Sequence, residues 1–113
     1  MKVLGICGSL AKSSVNLRFL RSLEDLFPAD MIFEVQTLHE IPMYSPDSDV
    51  LPESVRSLCN QIKQADRIVI ATPEYNYSLP GVLKNALDWV SRSSENPFDG
   101  KVTAIMGASP GNV

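Results

Sequence analysis

Residues 2–16 read KVLGICGSLAKSSVN, and the rest of the chain continues the alternation of strand and helix that this stretch begins. The segment from Lys2 to Cys7 is a short apolar run, which predicts a buried strand. It stops at Gly8, and a loop rich in small and hydroxyl residues leads to a predicted helix from about Asn16 to Phe27. Pro28 follows the last apolar position and ends that helix.

Three further apolar runs predict strands at Met31 to Leu38, Arg67 to Thr72 and Lys101 to Met106. Between them, Pro52 and Pro80 open two predicted helices, because each proline precedes an apolar stripe at helical spacing. Strands that are apolar on both faces and alternate with helices predict a parallel sheet covered on both sides. Such sheets bind ligands at the carboxyl ends of their strands, so the loops after the first, third and fourth strands are the candidate site.

Composition narrows the class of protein. The 113 residues fit one domain, and a hydrophobic share of 44% with 20% charged residues is that of an ordinary globular protein. No apolar run approaches the ~20 residues of a membrane span. The formal charge of −3 comes without a basic block, which argues against nucleic acid and anionic membranes as partners. Cys7 and Cys59 make neither a disulfide framework nor a metal cluster, so we expect reduced thiols, no metal site and a cytoplasmic location.

The loop after the first strand is GSLAKSSVN, residues 8–16. Its serine hydroxyls, its asparagine amide and the N–H groups of a helix N-terminus together suit an anion such as a monophosphate. It matches neither the dinucleotide fingerprint GxGxxG nor the triphosphate loop GxxxxGK[ST]. Serine and asparagine are also ordinary helix caps, so a serine-rich cap without a ligand is an equal alternative for this loop taken alone.

The loops after the third and fourth strands add aromatic and small residues. Residues 72–81, TPEYNYSLPG, place two tyrosines, an asparagine and a glutamate at the end of a buried strand. Aromatic faces and exposed amides suit a flat heteroaromatic ring, and the alternative is a proline-stiffened turn with surface tyrosines. Residues 107–111, GASPG, have small side chains, which would let a ligand approach the backbone closely.

Together, the segments GSLAKSSVN, TPEYNYSLPGVLKNALDW and GASPG resemble the NAD(P)H-dependent FMN reductase family, and the resemblance runs over the whole chain. It implies a flavodoxin-like three-layer αβα sandwich with a parallel sheet in the order 2-1-3-4, as a single FMN-binding domain over residues 1–113. It implies FMN as cofactor and NADPH or NADH as electron donor. Electrons would pass to a small-molecule acceptor (a quinone, an azo compound, a free flavin or a metal oxyanion), and the protein would be a homodimer or homotetramer.

The resemblance also implies which residues hold the flavin. These are Ser9, Ser14 and Asn16 for the phosphate, Pro73, Glu74, Tyr75 and Asn76 along the isoalloxazine ring, and Ser109 from the end of the fourth strand. No residue is assigned a catalytic role, because the cofactor carries the redox chemistry. The family often has an arginine where this chain has Ala11, and Lys12 is the candidate for the missing charge.

Proteins of this family usually continue beyond the SPG motif with a fifth strand and its helices, so we expect the sequence to be C-terminally truncated. The fourth strand would then be an unprotected sheet edge. A sheet completed by a second copy and a minimal variant are the alternatives. Two other functions also stay open: a flavodoxin-type electron carrier, and a non-catalytic remnant that no longer holds FMN.

Other residues have simpler interpretations. His39 has no partner for a catalytic or metal site and is expected at the surface. Cys7 and Cys59 are expected in the core. Trp89 suits either the core or a subunit interface. If the third helix forms that interface, its polar residues there would be Lys84, Asn85 and Asp88.

Overall fold

The computed structural model describes residues 1–109, which form one parallel sheet with helices on both faces. Its strands are β1 (Lys2–Cys7), β2 (Ile32–Gln36), β3 (Arg67–Ala71) and β4 (Val102–Met106). Its helices are α1 (Val15–Leu23), α2 (Glu53–Gln64) and α3 (Gly81–Ser91). All strand pairs are parallel and the order is β2-β1-β3-β4, which confirms the predicted topology.

Two apolar clusters make the sheet the middle of three layers. On one face, Leu20 of α1 packs with side chains of β1 and β3, namely Val3, Cys7, Val69 and Ala71. On the other face, α2 and α3 cover the alternate side chains of the same two strands. The buried members of that larger cluster are Leu4, Ile6, Leu38, Leu58, Ile62, Ala65, Ile68, Ile70, Leu83, Ala86 and Val90. The central strands β1 and β3 are therefore buried on both faces, as their continuous apolar runs predict.

The first helix is shorter than its apolar stripe predicts. Ser14 is its N-cap, and the hydroxyl oxygen accepts a hydrogen bond from the N–H of Leu17 at 3.1 Å. The α-helix ends at Leu23 and tightens into a 3₁₀ turn, Glu24–Leu26. Phe27 is already extended (φ −83°, ψ 146°), because Pro28 disfavours the helical conformation in the residue before it.

The long loop between β2 and α2 is attached to α3 by three hydrogen bonds. The side chain of Asn85 donates to the carbonyl of Pro42 at 2.8 Å and accepts from the N–H of Tyr44 at 2.8 Å. The indole N–H of Trp89 donates to the same Pro42 carbonyl at 2.7 Å. Trp89 is 3% exposed and Asn85 is 7% exposed, so both lie inside the chain. The core interpretation of Trp89 is confirmed, and the side chain of Asn85 is occupied by contacts within the chain.

Strand β4 lies at the edge of the sheet and is exposed on both faces. Val102 is 62% exposed and Ile105 is 71% exposed, and among residues 1–109 β4 pairs only with β3. The predicted edge position of the fourth strand is confirmed. Lys101, just before β4, reaches back to α2 and donates to two carbonyls at its C-terminal end, those of Lys63 at 2.9 Å and Ala65 at 2.6 Å.

Within residues 1–109, every helix falls short of the length and apolar character that crossing a bilayer would require.

Candidate functional site

The carboxyl ends of β1, β3 and β4 open onto one cavity of about 760 Å³. That volume is typical of sites that enclose a small organic ligand or cofactor. In the order β2-β1-β3-β4, the chain moves outward in opposite directions from the boundary between β1 and β3. Open parallel sheets bind ligands at this boundary, so the cavity lies where the sequence predicts it.

The first wall of the cavity is the loop that leads from β1 into α1. The hydroxyl oxygen of Ser9 accepts a hydrogen bond from the N–H of Ala11 at 3.1 Å, and that of Ser14 caps α1. Because each oxygen accepts from the backbone, each hydroxyl still has its own proton to donate. The first turn of α1 carries no acidic residue. The wall therefore presents hydroxyl and backbone donors to an anion, with no carboxylate in that turn to repel it.

The three strand ends approach so closely that two glycines are required. A Cβ on Gly8 would lie 2.5 Å from the hydroxyl oxygen of Thr72, and a Cβ on Gly107 would lie 2.7 Å from its backbone oxygen. The N–H of Gly8 donates to the carbonyl of Ala71 at 2.8 Å, and the N–H of Thr72 donates to the carbonyl of Met106 at 2.9 Å. Thr72, which follows β3, thus lies between Gly8 after β1 and Gly107 after β4. Backbone hydrogen bonds hold these three strand ends together at the floor of the cavity.

The second wall is the segment after β3, which contains a tight turn. Tyr75 and Ser78 exchange two backbone hydrogen bonds, of 3.0 and 3.2 Å. Between them, Asn76 (φ 54°) and Tyr77 (φ 64°) are both left-handed, which is the geometry of a type I′ turn. A tyrosine in this conformation costs about 1–2 kcal/mol. Tyr75 lines the cavity, whereas Tyr77 is 96% exposed at the tip of the turn.

The third wall is the backbone that leaves β4, and Asn16 holds it against the first. The Nδ2 of Asn16 donates to the carbonyl of Ala108 at 3.2 Å, and its Oδ1 accepts from the N–H of Ala108 at 2.9 Å. Asn16 is only 3% exposed. The two loops, 92 positions apart in the sequence, are therefore joined by a reciprocal pair of hydrogen bonds.

All but one of the residues predicted to hold the flavin line this cavity. They are Ser9, Ser14, Asn16, Pro73, Glu74, Tyr75 and Ser109. Asn76 lies in the turn and is not part of the wall. The cavity also includes Thr72, Ile105, Met106 and Ala108, which were not predicted to hold the ligand. Their only sequence signal is their position at the end of a strand. Pro110 and Gly111 of the GASPG segment lie outside the described residues.

Two of the residues given simpler interpretations border the sheet near this site. His39 is exposed, as predicted, and its Nε2 lies 3.1 Å from the carbonyl oxygen of Leu10 in the first loop. Cys7 is buried, which agrees with its predicted place in the core. On the far side of the sheet, Cys59 is only half-buried. Burial raises the pKa of its thiol, and a hydrogen bond with Ser93 partly offsets that effect.

A family model described as NADPH-dependent FMN reductase matches residues 1–113. The chain belongs to this family. An NAD(P)H-dependent FMN reductase of Pseudomonas aeruginosa is 49% identical over 113 residues, an alignment that covers 98% of this chain and 61% of that protein. A quinone reductase of Escherichia coli is 43% identical over 115 residues, again covering 98% of this chain and 61% of the relative.

Solved structures give the same result for this member of the FMN reductase family. FerB of Paracoccus denitrificans, a flavoenzyme NAD(P)H:(acceptor) oxidoreductase, superposes with a TM-score of 0.87 at 38% identity. The match covers 97% of this chain and 62% of FerB. The flavodoxin-like fold is thereby shown. The chain spans about three fifths of the length of these two curated relatives.

Proposed function

We propose that this chain is the flavin-binding part of an FMN-dependent NAD(P)H oxidoreductase that delivers electrons to a quinone or a similar small acceptor. Azo compounds, free flavins and metal oxyanions are the other acceptor classes that we include. The observation that carries the proposal is the cavity at the β1/β3 boundary, which has hydrogen-bond donors on one wall and Pro73, Tyr75, Ile105 and Met106 among the residues of the others. Membership of the FMN reductase family and the names of the relatives support it.

The first loop fits a phosphate monoester. Ser9 has a hydroxyl proton available, Ser14 has a hydroxyl that also lies 3.8 Å from the sulfur of Cys7, and Ser13 lines the same wall. The N-terminal end of α1 adds unsatisfied backbone N–H groups and a favourable dipole. Lys12, which is exposed, lies within this loop and is the nearest cation in sequence. These groups would hold the phosphate of FMN without the arginine that many family members have.

The remaining walls fit a flat heteroaromatic ring. Pro73 and Tyr75 offer rigid faces on one side, and Met106 and Gly107 border the other. Gly107 has no side chain, so its backbone is accessible to a ligand edge. Bound FMN would supply the redox chemistry, the transfer of electrons from NADPH or NADH to the acceptor. The chain's own residues bind and orient the ring and exclude water from one of its sides.

A titration of FMN with the purified chain tests the proposal directly. We expect saturable quenching of flavin fluorescence at one FMN per chain. The variant Ser9→Ala should weaken FMN binding, because it removes a hydroxyl donor at the phosphate wall. Ser22→Ala is the matched control, since Ser22 is exposed and bonds only to the carbonyl of Phe19 on α1. Absence of quenching at micromolar protein would contradict the proposed cofactor site.

Turnover separates the reductase from the alternatives. A reductase oxidises NADPH or NADH continuously when a quinone is present. A flavodoxin-type carrier would bind FMN without oxidising the nicotinamide, and a non-catalytic remnant would bind no FMN at all. The flavodoxin-type alternative is disfavoured by the modest formal charge of −3, because such carriers are usually far more acidic.

We further propose that residues 1–113 act as a single domain of a cytoplasmic homodimer or homotetramer. The cytoplasmic location is supported by the free thiols of Cys7 and Cys59 and by the use of NAD(P)H as donor. Self-association is supported by family resemblance. Light scattering over a range of protein concentrations measures the oligomeric state, and a monomer at every concentration would contradict it.

A further inference from the structure

We propose that Asn16 is a positioning residue whose side chain holds the loop after β4 in place against the phosphate loop, so that both ends of the cavity form one rigid unit. The inference rests on the proposed function, because the cavity that it stabilises is the proposed FMN site. It differs from the family-based expectation for Asn16, in which the amide contacts the phosphate itself.

The geometry of Asn16 is that of a clamp between two backbones. Its Oδ1 accepts from the N–H of Ala108 at 2.9 Å and its Nδ2 donates to the Ala108 carbonyl at 3.2 Å. This reciprocal pairing resembles that of a neighbouring strand, which also offers one donor and one acceptor. The side chain is 3% exposed, so water competes little for these bonds.

Asn16 contacts the loop after β4 close to the point where the sheet ladder ends. Beyond Met106, whose carbonyl accepts from Thr72 at 2.9 Å, the regular ladder between β3 and β4 ends. Among residues 1–109, β4 pairs with β3 alone, so no second strand holds its other edge. Asn16 therefore supplies the next cross-connection after the ladder stops, and it does so from the N-terminal turn of α1, whose backbone faces the proposed phosphate.

An amide that is committed to Ala108 has little left for a ligand. An asparagine side chain has one oxygen and two N–H groups, and here the oxygen and one N–H already have partners. Loss of Asn16 should therefore displace Ala108 and Ser109 from the ring side of the cavity. The phosphate side would keep its hydroxyl groups and the backbone N–H groups of α1. The loss should affect riboflavin, which has no phosphate, as strongly as FMN.

The experiment compares wild type with Asn16→Ala, Asn16→Asp and the control Ser22→Ala. The first measurement is hydrogen exchange of the Ala108 amide by NMR in the flavin-free chain. In wild type this N–H should be protected, and Asn16→Ala should accelerate its exchange about tenfold or more. Asn16→Asp keeps an oxygen that can accept from the Ala108 N–H, but it replaces the Nδ2 donor by an oxygen that repels the Ala108 carbonyl, so it should accelerate exchange less than alanine does. It also provides a second variant if Asn16→Ala does not fold.

The second measurement is the affinity of each variant for FMN and for riboflavin. Asn16→Ala should weaken both by the same factor, about tenfold for the loss of two hydrogen bonds. A loss confined to FMN would overturn the inference, because it would show that Asn16 acts on the phosphate. An unprotected Ala108 amide in wild type, or equal protection in Asn16→Ala, would also overturn it.

These outcomes separate the inference from the proposed function. If the wild-type chain binds neither FMN nor riboflavin, the proposed cofactor site fails. The exchange rate of the Ala108 amide in the flavin-free chain still decides whether Asn16 holds the loop. If flavin binds normally but the Ala108 amide exchanges at the same rate in wild type and in Asn16→Ala, the proposed function is supported and the positioning role is refuted.

Discussion

Replacing Asn85 by alanine should destabilise the chain far more than an ordinary helix substitution, because Asn85 is one of two side chains that attach the loop after β2 to α3. In wild type its Oδ1 accepts from Tyr44 and its Nδ2 donates to Pro42, each at 2.8 Å. The variant leaves the N–H of Tyr44 without that acceptor, which costs about 1–3 kcal/mol, and removes a second bond worth about 1 kcal/mol. We expect the free energy of unfolding to fall by about 2–4 kcal/mol in total.

Urea denaturation followed by circular dichroism measures this change. With a slope of roughly 1.5 kcal/mol/M, the midpoint should fall by about 1.3–2.7 M. Lys84→Ala on the same helix is the control. Lys84 makes an exposed ion pair with Asp88 at 2.6 Å, and the loss of such a pair costs only about 0.3–0.5 kcal/mol.

A double-mutant cycle with Trp89→Phe makes the test stricter. The Pro42 carbonyl accepts from both Asn85 and Trp89, so either single variant leaves it one donor. Only the double variant leaves it without either. The double variant should therefore lose about 1 kcal/mol more than the sum of the two single losses. Strict additivity, or an Asn85→Ala variant as stable as Lys84→Ala, would refute the reasoning.

Three further predictions concern the cavity floor, a helix end and a surface carboxylate. Gly107→Ala should weaken flavin binding and lower stability, because its Cβ would lie 2.7 Å from the backbone oxygen of Thr72; Gly81→Ala, with nothing within 4 Å, should not. Lys101→Met should lower the free energy of unfolding by about 1–2 kcal/mol, because it leaves the C-terminal end of α2 without its cationic cap. Asp66→Asn should flatten the acid side of the profile of stability against pH, measured by urea denaturation.

The sign of the last prediction follows from the hydrogen bond that the carboxylate of Asp66 accepts. The backbone N–H of Lys2 donates to it at 2.7 Å, and this bond, ahead of nearby positive charges, lowers the pKa of Asp66. A lowered pKa in the folded chain means that the contribution to stability is present above the usual carboxyl pKa. It is lost as the pH falls through the lower, folded-state value. Equal acid profiles for wild type and Asp66→Asn would contradict this.

Each grouped prediction also has an outcome that would count against it. If Gly107→Ala and Gly81→Ala bind FMN equally well, the close approach to Thr72 does not control the cavity. If Lys101→Met unfolds at the wild-type urea concentration, the bonds to α2 contribute nothing to stability.

The sheet could be predicted because its central strands have a distinctive sequence pattern. The runs Lys2–Cys7 and Arg67–Ala71 are apolar at successive positions, which requires cover on both faces and hence a parallel sheet between helices. The end of α1 was placed too late because the apolar stripe extends to Phe27. Pro28 indicates that Phe27 is not helical, because a proline disfavours the helical conformation in the residue before it.

The interior of the site could be predicted less well, because its decisive contacts are to backbone. The sequence identifies Asn16 as a site residue. Its partner Ala108 could not be predicted, because Asn16 bonds to the backbone of Ala108 and an alanine side chain gives no indication of that contact. Asn85 likewise bonds to backbone atoms of an irregular loop that has no periodicity. Asn76 lies in a type I′ turn formed without glycine, and the usual sequence signal for that turn is absent.

The walls of the cavity come from three separate segments of the sequence, and their order determines when the site can form during synthesis. A ribosome releases β1, the phosphate loop and α1 early, and the larger apolar cluster can begin to form once α2 and α3 have emerged. Residue 108 is among the last described positions to be made. Until it emerges, the side-chain amide of Asn16 lacks its partner Ala108, and the cavity has only its first two walls. The third wall of the proposed cofactor site is therefore completed after the other two, so the site cannot hold its proposed ligand on all sides until residue 108 has been made.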